Sequence, residues 1–368
     1  MPRLLGLLLL VGWLTGVPRV AGAESPALPS PPRSAVAGTA PSAPEQTAAA
    51  DTLRAAASAR GRHIGTAVVV PALREEARYR DILAREFDLV TTEDTLKFAP
   101  VHPAPEQYAF AGGDAIVDFA QAHGLQVRGH TLVWHHQLPD WLTQGGFSRD
   151  ELLTLLHTHI QTVVQHYRGR IVAWDVVNEA IADDGTLRDT FWLRGIGPEY
   201  LDLAFRWTHE ADPDARLFLN DFGGEGLGRK SDAIYALVRR LRQDGVPLDG
   251  VGFQMHIAPE RAPGTVNIAA NIDRLAALGV EVHITEMDVR LPLPVTAEAL
   301  ESQARLYRDI LDVCLRADAC TALVFWGFTD RHSWIARPFP GHGAALIFDE
   351  NYVPKPAYYA LLNGLRAT

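Results

Sequence analysis

From about residue 51 to the C-terminus, short β-branched runs alternate with amphipathic stretches. The runs cover 64–70, 87–91, 125–132, 171–177, 215–220, 250–256, 280–285 and 321–325. Near-continuous apolar runs of this length suit strands buried on both faces, as in a parallel sheet with crossover helices. The intervening stretches have the helical period. Leu152, Leu156, Ile160, Val163 and Tyr167 fall on one face of such a helix, and Ser148 with Glu151 forms a capping-box signal at its start. Helical patterns end at Gly124, Gly245 and Gly279 and pass directly into the next strand. Glycine there accepts the left-handed conformation that terminates a helix. Eight strands in strict alternation with helices predict an α/β fold closed into a single (β/α)8 TIM barrel.

Composition agrees with one large globular domain. The chain has 368 residues, 47% hydrophobic and 21% charged, with a formal net charge of -10. An acidic chain has no electrostatic reason to bind nucleic acid or an anionic membrane, so a neutral small-molecule or polymer partner fits better. The first 50 residues differ from the rest. Arg3, the apolar run 4–17 and the small residues Ala21, Gly22 and Ala23 have the layout of a cleavable signal peptide over residues 1–23. The run is short for a membrane span, the alternative being an uncleaved anchor. Residues 24–50, rich in Pro, Ala and Ser, read as a disordered linker, leaving 51–368 as the catalytic-sized domain. This organisation predicts a secreted protein, extracellular or periplasmic, with no membrane contact after cleavage. A monomer is expected. Cys314 and Cys320 are then either buried thiols or a short-loop disulfide, which export would permit.

In such a barrel the chemistry belongs at the C-terminal ends of the strands. There the sequence places Glu93, Asp94 and Lys97 after strand two, and His130, Trp134, His135, His136 and Gln137 in and after strand three. Asn178 and Glu179 follow strand four, Asn220 and Asp221 strand five, and Gln254 and His256 strand six. Glu286 and Asp288 follow strand seven; Trp326, Asp330, Arg331 and Trp334 follow strand eight. Strands four and seven face each other across the mouth, so Glu179 and Glu286 form a pair of opposed carboxyl groups, the requirement of glycoside hydrolysis. Tryptophans offer flat apolar faces for sugar rings, and Asn178, Gln137, Gln254 and Lys97 offer hydrogen bonds to hydroxyls. Trp174, Trp192 and Trp207 read as core. No metal is expected: no H-E-x-x-H or similar ligand spacing occurs, and the adjacent His135 and His136 are not expected to reach one ion together.

These residues sit in blocks that resemble glycoside hydrolase family ten, the endo-β-1,4-xylanases. The blocks are Arg128 to His135 (RGHTLVWH), Gln137 to Pro139, Trp174 to Glu179 (WDVVNE), Asp212 to Ala215, Gly250 to His256 (GVGFQMH), Ile284 to Asp288 (ITEMD) and Val324 to Asp330 (VFWGFTD). The resemblance runs from about residue 60 to the C-terminus. It implies a cofactor-free barrel that hydrolyses xylan and xylo-oligosaccharides with retention. It further implies that Glu179 is the acid/base, Glu286 the nucleophile, and Asn178 the partner of a sugar 2-hydroxyl. His256, oriented by Asp288, would hold the nucleophile. His130, Trp134, Gln254, Trp326 and Trp334 would line the subsite at the cut, and Glu93, Lys97 and Gln137 the next. Cys314 and Cys320 match the spacing of a disulfide found in many members. Three positions depart from the family pattern: Asp94 where Asn is usual, Phe98 for Trp, and Phe222 for Tyr. They are expected among the substrate contacts, not the proton chemistry. The same barrel acting on glucan, or a silent sugar-binding protein, are the rival readings.

Overall fold

The computed structural model describes residues 51–367; the signal-peptide and linker expectations for residues 1–50 lie outside the described residues. Eight parallel strands close on themselves: β1 (His63–Val68), β2 (Leu89–Thr92), β3 (Gln126–Val133), β4 (Ala173–Asn178), β5 (Arg216–Asp221), β6 (Gly250–Phe253), β7 (Glu281–Val289) and β8 (Cys320–Phe325). β8 pairs with β1 in the register His63↔Ala322 and with β7 in the register Val282↔Cys320, so the barrel has no free edge.

The main crossover helices are α1 (Ala77–Glu86), α2 (Ala111–Ala122), α3 (Arg149–His166), α4 (Tyr200–Ala211), α5 (Arg229–Gln243), α6 (Thr265–Ala276) and α7 (Ala297–Arg316), with α8 (Pro356–Arg366) after β8. In α3 the expected face is buried, and Ser148 and Glu151 cap reciprocally: the Ser148 amide donates to Glu151 Oε2 at 2.7 Å. Gly124, Gly245 and Gly279 all have positive φ, as their helix ends require. Trp174 and Trp192 are fully buried and Trp207 packs against the core, as predicted. Cys314, near the end of α7, and Cys320, which opens β8, form a disulfide. No helix among the described residues is long and apolar enough to cross a membrane.

Several strand limits differ from the expectation; β6 ends at Phe253 and not at His256, which pairs separately with Asp288. β1 stops at Val68 because Val69 caps a short helix with proline in its first turn. β7 runs past Thr285 to Val289, so Glu286 and Asp288 lie inside the strand and not after it. The expected break did not materialise because ladder pairing continues there, Met287 with Phe325 and Asp288 with His256.

The barrel interior is polar beneath the mouth. Arg128 on β3 is fully buried and ion-pairs with Asp175 on β4. Its Nη1 also donates across the barrel to His283 Nδ1 at 3.0 Å. Burial, reinforced by Arg128, pushes His283 down to about 4 despite Glu281, so its Nδ1 is free to accept. His130 Nδ1 meets the other Asp175 oxygen at 3.0 Å. Burial alone would raise Asp175, but Arg128 and His130 outweigh it and hold the carboxyl below its ordinary range. This network links the barrel floor to His130 at the mouth.

Candidate active site

Glu179 leaves the end of β4 with φ of 60°, a left-handed backbone that costs a non-glycine residue about 1–3 kcal/mol. The surroundings impose it. The Glu179 amide donates to the Asn220 carbonyl at 2.8 Å. Arg188 clamps the next turn, Nε to the Glu179 carbonyl at 2.9 Å and Nη2 to the Ile181 carbonyl at 2.9 Å. The side chain is 12% exposed. Its Oε1 accepts from Gln254 Nε2 at 3.2 Å and from Asn178 Nδ2 at 3.4 Å.

Glu286 is buried, 4% exposed, with each oxygen held. Oε1 accepts from Asn220 Nδ2 at 2.6 Å and Oε2 pairs with His256 Nε2 at 3.0 Å. Asp288, two residues on and therefore on the same face of β7, takes His256 Nδ1 at 2.7 Å and Trp334 Nε1 at 2.8 Å. Burial alone would lower His256; Asp288 and Glu286 outweigh it and raise it to about 10, so the ring is an imidazolium donating from both nitrogens.

Asn220 joins the two halves. Its Nδ2 also donates to Asn178 Oδ1 at 2.8 Å, and its Oδ1 accepts from Thr285 Oγ1 at 2.7 Å. A chain of side-chain amides, Asn220 to Asn178 to Gln254, thus runs from one carboxyl group to the other. Asn220 needs the space above Gly252, where a Cβ would stand 2.1 Å from its Oδ1.

The carboxyl pair opens into a cleft of about 820 Å³. Glu93, Lys97, His130, Trp134, Gln137, Asn178, Gln254, His256, Trp326 and Trp334 all line it, as the sequence analysis expects; Asp288 lies behind His256. Lys97 Nζ pairs with Asp94 at 2.9 Å and sits 5.2 Å from the Trp134 ring centroid and 5.7 Å from that of Trp326. Burial, reinforced by Asp94 and Glu286 and only partly offset by Lys97, raises Glu93 to about 8. Arg188, Arg290, Arg337 and Phe339 belong to no motif that marks them in the sequence, and Asn220 stands at a strand end with no role legible there. Arg290, stacked 4.1 Å from the Phe339 centroid, lines the cleft with Arg337.

Two expectations are corrected. Phe98 is not among the lining residues: it is buried against His159, ring centroids 3.8 Å apart, and belongs to the core. The other two departures do lie in the cleft, Asp94 beside Lys97 and Phe222 with Lys230 Nζ 3.6 Å from its ring centroid. His135 and His136, adjacent though they are, do converge: their ring centroids are 4.0 Å apart, and with Glu179 they bring three potential ligand atoms within 4.8 Å of one another. A second trio, His130, Asp175 and Glu286, is equally close. There the carboxyl groups are already committed to Arg128, Asn220 and His256.

A closed (β/α)8 barrel with opposed carboxyl groups on β4 and β7, in a cleft walled by tryptophan and amide side chains, defines a glycoside hydrolase. The chain belongs to Glycosyl hydrolase family 10, whose model matches residues 52–364. It is 46% identical over 290 residues to endo-1,4-beta-xylanase B of Thermotoga neapolitana, covering 78% of this chain and 84% of that protein. Among solved structures it is similar to native xylanase 10B of Thermotoga maritima, with TM-score 0.84, 44% identity, and 85% and 98% of the two chains covered. It is likewise similar to xylanase 10B of Thermotoga petrophila in complex with xylobiose, with TM-score 0.83, 45% identity, and 85% and 97% covered.

Proposed function

We propose that this protein is an endo-β-1,4-xylanase that cleaves xylan and xylo-oligosaccharides with retention of configuration, Glu179 serving as acid/base and Glu286 as nucleophile. The observation that carries the reading is the unequal setting of the two carboxyl groups. Glu286 is buried and fixed at both oxygens, as a nucleophile aimed at one carbon must be. Glu179 faces the cleft with Oε2 bonded to no neighbour, the His135 ring nitrogen standing 3.9 Å away, so it can reach a leaving oxygen and then a water. In the first step a Glu286 oxygen attacks the anomeric carbon while Glu179 protonates the departing glycosidic oxygen. The C–O bond to the leaving sugar breaks as the ester to Glu286 forms. In the second, Glu179 takes a proton from water, the water oxygen attacks the same carbon, and Glu286 leaves. His256, charged and held by Asp288, keeps Glu286 on line throughout. Asn178 would hold the 2-hydroxyl beside the cut. The tryptophans and Gln254 would form the walls there, and Glu93, Lys97 and Gln137 the next subsite.

The reading is tested by product analysis on xylan, xylo-oligosaccharides and glucan side by side, with product anomers followed early by NMR. Retention gives the β-anomer first; an initial α-product, or a preference for glucan, would overturn it. On an aryl xyloside with a good leaving group, Glu179→Ala should keep much of its first-step rate and Glu286→Ala should lose it. Equal losses would remove the assigned roles.

We further propose that the protein is exported. Support comes from Arg3 with the apolar run 4–17, and from the Cys314–Cys320 disulfide, which an oxidising compartment favours. N-terminal sequencing of the mature protein should begin after Ala23; a chain retaining Met1 inside the cell would refute this.

A further inference from the structure

We infer that His135, His136 and Glu179 form a binding site for one divalent transition-metal ion of the Zn²⁺ and Cu²⁺ class, and that its occupation silences the enzyme. Two adjacent residues in a strand would point to opposite faces. These two lie beyond the end of β3 at Val133, where the chain bends, and Gln137 just after them has φ of 50°. The bend folds His136 back, so that its ring meets that of His135 at 4.0 Å. His135 Nε2 is 3.9 Å from Glu179 Oε2, and one ligand atom from each residue lies within 4.8 Å of the other two. Ligands about 2.0–2.1 Å from one tetrahedral ion stand roughly 3.4 Å apart, so small side-chain rotations close the site.

The chemistry of the donors fits. The His135 side chain is only 15% exposed and is held beside Glu179. Its Nδ1 is buried and has no hydrogen-bond partner. His136 is exposed and free to adjust. Two imidazoles and one carboxylate select Zn²⁺ or Cu²⁺ over Mg²⁺ or Ca²⁺. Arg188 and Lys230 act against a cation here and keep the affinity modest. An ion bound at Glu179 Oε2 occupies the oxygen that must carry the proton, without touching Glu286. The silencing rests on the role proposed for Glu179; the binding does not.

The test uses the untagged full chain. Isothermal titration with ZnCl₂ and CuCl₂ should give one saturable site and with MgCl₂ none. In His136→Ala the dissociation constant should rise at least about tenfold, the lower bound of what even an outer-shell metal partner costs. Hydrolysis by that variant without metal should be unchanged, and its inhibition by Zn²⁺ should weaken in parallel. Zn²⁺-soaked crystals of the unmutated protein should show an anomalous peak between the three side chains. The absence of saturable Zn²⁺ or Cu²⁺ binding, equal binding by His136→Ala, or a peak elsewhere would each overturn the site. Binding that is lost in His136→Ala but leaves hydrolysis untouched would keep the site and overturn the silencing, and with it the acid/base reading of Glu179.

Discussion

At the scale of single residues, the two carboxyl groups owe their setting to neighbours that carry no chemistry themselves. Asn220 fixes one oxygen of Glu286 and one of Asn178 through the same amide nitrogen. Asn220→Ala should therefore lower kcat by up to roughly 100-fold, the cost of a misplaced reacting group, with little change in KM. Gly252→Ala should reproduce that loss, because its Cβ would occupy the place of Asn220 Oδ1. Full kcat in Gly252→Ala would show that Asn220 does not orient the nucleophile. Glu93 offers a separate test through stability. Its carboxyl is raised from 4.5 to about 8 in the folded chain, so between those values the folded state keeps a proton that the unfolded chain has released. Stability then falls as pH rises through that window and levels off above it. Glu93→Gln stays neutral, so its Tm relative to the parent should climb from below pH 4.5 to above pH 8; a constant difference would refute the shift. The residues that touch sugar in this reading were legible in sequence because each is a distinctive side chain at a strand end. Asn220 and Arg188 were not, because their importance lies in which carbonyl or carboxylate they meet, and that is a matter of distance across strands. Phe98 misled for the same reason: a position in a motif does not say which way the ring turns.

At the scale of elements, the barrel is held by strand registers that must also align the floor network with the mouth. Arg128, Asp175 and His283 come from β3, β4 and β7, and the network is complete only if all three registers are correct. Arg128→Met leaves Asp175 buried without its cation and should cost about 3–5 kcal/mol in chemical denaturation. Replacing both partners, Arg128→Met with Asp175→Leu, should recover much of that stability. It should not recover activity, because His130 then loses the carboxylate that orients it. A double variant as unstable as the single one would mean that the pair stabilises the fold outright. The eight elements themselves were readable because apolar runs and helical periods are local signals, and so were the Ser148–Glu151 cap and the glycine helix ends. The upper half of β7 was not. Thr285, Glu286 and Asp288 are polar and look like the end of a strand, yet the strand runs through them to Val289, with Met287 paired to Phe325 and Asp288 to His256, since the barrel mouth tolerates polar strand residues that contact one another across it.

At the scale of the whole molecule, the two ends of the barrel divide function from stability, and the N-terminus of the described chain belongs to the second. The helix Leu53–Ala59 lies against the helix ends that precede the strands, opposite the cleft. Arg54 donates to the Ala84 carbonyl at 3.0 Å and to the Gly124 carbonyl at 2.8 Å. The Leu53 amide donates to Glu86 Oε2 at 3.0 Å, and that oxygen also takes the Tyr358 hydroxyl at 3.0 Å, so one buried carboxyl group ties this helix, α1 and α8 together. If the folding unit begins at residue 51, a chain starting there should match the full-length protein in both Tm and kcat/KM. A chain starting at residue 61 exposes the surface that Leu53 covers and strips a donor from Glu86. It should lose at least about 2 kcal/mol, since a buried acceptor left unpaired alone costs roughly 1–3 kcal/mol. Because nothing in the helix reaches the cleft, kcat measured well below the transition should not change. A loss of kcat on shortening to residue 61 would mean that the closed end of the barrel governs the geometry of the open one. A loss of stability on shortening to residue 51 would move the start of the domain into the Pro-, Ala- and Ser-rich segment before it.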